Sequence, residues 1–94
     1  MQREIAFLEE YRSDVDKNAL RYHAKVGDDL VMCRIAVEAL HDGWPEDQEQ
    51  PKEKIFEKHR SKIEQVTREL IKAGRLEPDG SIGIRSSDVM HRSW

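Results

Sequence analysis

Leu20, Tyr22, Ala24 and Val26 alternate with Arg21, His23 and Lys25, the dipeptide Gly27-Asp28 interrupts, and Leu30-Val31-Met32-Cys33-Arg34-Ile35 follows. Nothing else in the chain restricts its fold as tightly. Period-two alternation marks a half-buried strand, because successive side chains leave a pleated backbone on opposite faces. A two-residue loop with glycine supplying positive φ is a hairpin turn. If Val26 faces Asp29, then Leu20, Tyr22 and Ala24 lie opposite Ile35, Cys33 and Val31 on one apolar face. The other face pairs Arg21 with Arg34, His23 with Met32 and Lys25 with Leu30.

The remaining segments attach to this hairpin. Glu4 to Leu8 is a short apolar run closed by the polar stretch Glu9 to Asp16, and it reads as a strand followed by a loop. Val37, Leu40 and Trp44 stand at helical spacing, so a short helix over 37–43 is expected, ended by Gly43, Trp44 and Pro45. Glu46 to Gln50 is an acidic loop, and Pro51 suits the first turn of a helix. Phe56, His59, Ile63, Val66, Leu70 and Ala73 form an amphipathic stripe predicting one long helix that stops at Gly74. Glu77-Pro78-Asp79-Gly80 is a turn signal, and Ser81 to Arg85 should be a last short strand. Residues 86–94 show no period and end in an isolated Trp94, which predicts a loose tail. The expected fold is α+β: a small antiparallel sheet of three to four strands, with one short and one long helix packed on one face, in a single domain over residues 1–85.

With 94 residues there is room for one core. The longest apolar runs fall far short of the ~20 residues of a membrane span, and Met1-Gln2-Arg3-Glu4 lacks the apolar core of a signal peptide. The single Cys33 leaves no partner for a disulfide or a CxxC site, so a reducing, cytoplasmic setting is expected, with no membrane. The net charge of −3 hides a division along the chain. Residues 1–50 carry six Lys/Arg against twelve Asp/Glu, residues 51–75 eight against four, and residues 76–94 two against three.

Candidate chemistry is sparse. Cys33 is the one thiol, but the hairpin register turns His23 to the opposite face, so no Cys–His dyad forms there. Glu38 and His41 make an E-x-x-H pair, half of a di-metal carboxylate site whose other ligands this chain lacks. His59 lies in the apolar stripe, where a partly buried, hydrogen-bonded histidine is the expectation. No glycine-rich phosphate loop, HExxH or nucleophile elbow is present, so no catalytic residue, cofactor or metal is expected. The most informative surface is basic. Lys54, Lys58, Lys62, Arg68 and Lys72 share one side of the expected long helix, and Lys54, Lys58 and Lys62 are i, i+4 like-charge neighbours whose repulsion an anionic partner would relieve.

Arg21-Tyr22-His23-Ala24 before the Gly27 turn, Cys33-Arg34-Ile35 leading into Ala39-Leu40, Phe56, Arg60 and Ile63, and finally Asp79-Gly80-Ser81-Ile82 occur in an order and spacing that resembles the small bacterial family called domain of unknown function 1488. The resemblance covers roughly residues 4–85. It implies an α+β fold and supplies no activity, ligand or site residue. Ala36 stands where a Ser capping the short helix would be expected. The functional expectation is a non-catalytic interaction module that self-associates as a homodimer, by edge pairing in preference to face packing. An acidic protein is the partner suited to the basic stripe. The alternative is a regulatory nucleic-acid-associated protein using the same stripe, disfavoured by the acidic segments around it. An enzyme whose site needs a partner chain stands third.

Overall fold

The computed structural model describes residues 4–90. Along the chain it contains β1 (Ile5–Asp14), β2 (Ala19–Val26), β3 (Asp29–Ala36), α1 (Val37–Gly43), a 3₁₀ turn at Pro45–Asp47, α2 (Lys52–Lys58), α3 (Arg60–Lys72), β4 (Ile82–Ile84) and α4 (Ser86–Val89). The hairpin has the expected register, with Val26 opposite Asp29, Tyr22 opposite Cys33 and Leu20 opposite Ile35. Gly27 takes φ 61°, a conformation that costs glycine little and other residues more.

β1 is longer than its apolar pattern indicates. Residues 9–14, expected to be loop, continue the strand, because Tyr11 and Ser13 return to pairing opposite Tyr22 and Leu20. The register shifts between Phe7 and Tyr11, so Leu8, Glu9 and Glu10 stand opposite His23 as a bulge. The Arg60 guanidinium closes that bulge from α3, donating to the carbonyls of Leu8 (2.6 Å) and Glu9 (2.9 Å). The Tyr11 hydroxyl donates to Glu57, and its ring packs against Phe56. A run of charged residues thus keeps one anchoring ring.

The sheet order is β1-β2-β3-β4. The α+β class is as expected, but β4 joins β3 in parallel, so the sheet is mixed. The connection from β3 to β4 spans α1 to α3, the kind of long crossover that parallel pairing requires. The expected single long helix is two helices. Its axis breaks at His59 (φ −110°, ψ 18°), where neither proline nor glycine stands. The His59 ring lies flat on Trp44, with centroids 4.3 Å apart, and its Nε2 bonds Asp47 Oδ2 at 2.7 Å. Side-chain anchorage of this kind is the physical cause we assign to the break.

The C-terminal segment also differs from the expected tail. Ser86–Val89 is a helical turn, and Val89 is buried against α1, its methyls close beside Gly43. Trp94 lies outside the described residues. The core joins Leu20, Tyr22, Cys33 and Ile35 of the sheet to Leu40, Ile55, Phe56, Ile63 and Val66 of the helices and Ile82 of β4. Tyr22 is clasped at its tip. Thr67 Oγ1 donates to the Ile63 carbonyl (2.7 Å), so the Tyr22 hydroxyl, 2.7 Å from the same oxygen, is the donor to it.

Candidate functional site

All four helices pack on one face of the sheet, and among the described residues no helix or strand covers the other. Register decides what that face shows. Arg12 is paired with Arg21 across β1 and β2, and Arg21 with Arg34 across β2 and β3, so three guanidinium groups form a row across three strands. Like charges directly opposite one another destabilise a sheet. Asp14 Oδ2 partly offsets the repulsion, lying 3.3 Å from Arg34 Nε and 3.7 Å from Arg21 Nε. Both of those Nε atoms are buried, and neither makes a hydrogen bond of good geometry. Beside the row, Leu8, Leu30 and Met32 help line a hollow of about 320 Å³, and Leu30 is 60% exposed.

The five basic residues expected to make one stripe are divided between two helices. Lys54 and Lys58 belong to α2, while Lys62, Arg68 and Lys72 belong to α3 beyond the break. Lys58 Nζ is held by Asp47 Oδ1 at 2.9 Å. The Arg68 guanidinium sits 5.0 Å over the Phe7 ring, which places it against β1. Lys62 is half-buried, Lys54 lines a shallow hollow with Lys58 and Asp47, and Lys72 lines a separate apolar crevice. The repulsion that made the stripe informative is therefore dispersed by the fold.

Two other clusters bear on chemistry. Glu46, Asp47 and His59 place one potential metal-ligand atom each within 4.8 Å of one another. Asp47 already accepts from His59 and Lys58 on its two oxygens, and these bonds, His59 first, hold its carboxyl below the usual range. A cation there would have to displace the Lys58 ammonium. Cys33 is fully buried on the core face, and burial pushes its thiol up to about 12, so it carries almost no thiolate at neutral pH. His23 faces Met32 on the other side, as the register required. Glu38 is exposed and His41 half-buried on α1, apart from the Glu46, Asp47 and His59 cluster.

Sequence reasoning places Arg21 and Arg34 opposite one another but not Arg12, because the polar stretch from Glu9 reads as loop. The signal was present in Tyr11 and Ser13, which keep the period of the core face within a polar stretch. Fold and surface together define a small α+β domain whose sheet, among the described residues, is left open on the face crossed by the arginines. The chain belongs to the family described as Protein of unknown function (DUF1488), whose model matches residues 5–84. The fold is similar to the crystal structure of a protein of unknown function from the same family from Shewanella loihica PV-4, at a TM-score of 0.78 and 24% identity over 89% of this chain and 94% of that one. No curated protein matches this sequence.

Proposed function

We propose that the domain is a non-catalytic interaction module whose uncovered sheet face docks an acidic segment of a partner protein. The observation that carries this reading is the row Arg12, Arg21 and Arg34, three cross-strand neighbours with Asp14 shared between two of them. Guanidinium groups take carboxylates through paired N–H donors, and a bound carboxylate would relieve the repulsion within the row. Leu8, Leu30 and Met32 supply apolar area beside the charges, the combination of dry centre and polar rim that protein contacts use. A second copy of the chain suits the face poorly, since a two-fold axis would set one arginine row against another. Edge pairing along β1 is interrupted where Arg60 occupies the Leu8 and Glu9 carbonyls.

The test is a titration of a labelled peptide of alternating Glu and Leu against the wild type, Arg21→Glu and Arg34→Glu, each variant first shown to unfold cooperatively. Saturable binding that weakens at least about tenfold with either reversal, equivalent to about 1.4 kcal/mol, supports the reading. Equal binding by all three proteins, or none by the wild type, rejects it. A single-stranded oligonucleotide binding in place of the peptide, and lost with the same reversals, would favour the nucleic-acid-associated alternative. Sedimentation showing a dimer that the reversals leave intact would return self-association to first place.

A further inference from the structure

The sheet is longer than the helices that cover it. Toward the Gly27 turn, β1, β2 and β3 still present Ile5, Val26 and Val31 on the core side, but α3 ends at Lys72 and the chain turns away at Gly74, with φ 71°. Ile71 in the last turn of α3 and Leu76 beyond it complete the walls of an open crevice of about 440 Å³. Leu76 is 53% exposed, and Ile5, Val31 and Ile71 are half-buried, so apolar surface here is left over after the core is built. The volume falls within the ~300–1,000 Å³ of small-molecule sites, which are mostly apolar with a few placed polar groups.

Lys72 supplies the placed charge. It lines the crevice, and no ion pair ties it to another described residue. Asp29 is the other charged lining residue, and it already has an interaction of its own. We propose that this crevice binds a small aliphatic monoanion, a medium-chain carboxylate, with its hydrocarbon between Val31, Ile71 and Leu76 and its carboxylate on Lys72. The site is separate from the arginine face and does not depend on the function proposed for it.

The experiment follows backbone amide resonances while octanoate, octanol and octyltrimethylammonium are added in turn to the whole chain. The expected result is saturable movement of the Val31, Ile71 and Leu76 amides, with octanoate tightest and the cation weakest by about tenfold, the scale of one well-placed charge contact. Lys72→Glu should invert that order. Leu76→Asp, at an exposed position that leaves the core alone, should abolish the response to all three. Arg21→Glu should leave octanoate binding unchanged, which separates this site from the sheet face. Shifts centred on His23 and Met32, an unchanged order in Lys72→Glu, or no saturable shift in the millimolar range would each overturn the proposal.

Discussion

Replacing Thr67 by Val should cost more than replacing Tyr22 by Phe, although both delete one hydroxyl from the same hydrogen-bonded pair. Tyr22 and Thr67 are buried, and the phenol O–H donates to a threonine oxygen whose own proton goes to the Ile63 carbonyl. Thr67→Val leaves a phenol donor in the core without an acceptor, a loss of about 1–3 kcal/mol. Tyr22→Phe leaves only a lone pair unfilled on an oxygen that still donates to Ile63, about 0.5–1.5 kcal/mol. The double variant replaces both partners with apolar groups of the same shape, and should cost less than the two singles together by about 1 kcal/mol. Urea unfolding of the four proteins at neutral pH measures all three quantities. Each kcal/mol also moves the thermal midpoint by about 4–8 °C in a domain of this size. If Tyr22→Phe proves the costlier single change, or if the two changes add, the chain of donors from Tyr22 through Thr67 to Ile63 is not as described.

Native Cys33 should react with a thiol reagent far more slowly than in denaturant, because burial both hides the sulfur and raises its pKa to about 12; equal rates would mean that the hairpin register is wrong. Asp47 has its pKa lowered in the fold by His59 and then Lys58, so its contribution is present above the unfolded value of about 3.9 and is lost as pH falls through the lower folded value. The stability gap between wild type and Asp47→Asn should therefore be present at about pH 5 and should close as the pH falls further into acid, whereas a gap that widened below about pH 5 would contradict the pairing. Arg60→Ala frees the Leu8 and Glu9 carbonyls and should cost about 1–2 kcal/mol. Amide exchange should then quicken at the bulge before it does in β2 and β3, and uniform quickening would deny Arg60 a local role.

The hairpin was legible because two independent constraints, the alternation and the glycine turn, agreed on one register, and a slip of β3 by one residue would have sent Arg34 into the core and Cys33 and Ile35 out of it. The core side of the helical segment was legible for the same kind of reason, with Phe56, Ile63 and Val66 all fully buried. What periodicity could not show is the break at His59. A stripe at 3.6-residue spacing continues across a kink, and the groups anchoring His59, Trp44 and Asp47, lie in a different segment. The basic stripe rests on a single straight axis from Lys54 to Lys72, and the structure divides that axis between α2 and α3. The packed helix Ser86–Val89 was hidden by its length, because one turn has no period to read, although Val89 packs beside Gly43 of α1. The parallel entry of β4 was equally hidden, being a property of the path between β3 and β4 and not of residues 82–84.

Arginines in this domain do two different jobs, and the contrast bears on how it meets other molecules. Arg60 reaches the bulge of β1, one edge of the sheet. Arg75 reaches the other edge, donating to the Gly83 carbonyl of β4 while it grips Asp88 of α4 with two nitrogens. Each satisfies backbone carbonyls of an edge strand, and covering an edge in this way is one means by which native sheets discourage edge-to-edge association. In the row of Arg12, Arg21 and Arg34, Arg21 and Arg34 share Asp14, Arg34 also stabilises the Asp79 carboxylate, and no backbone carbonyl among the described residues accepts from any of the three. On the proposed reading, the domain closes its sheet edges with two arginines and recognises its partner with the three on the open face. Its binding should therefore depend on salt and on side-chain charge, with backbone pairing contributing little.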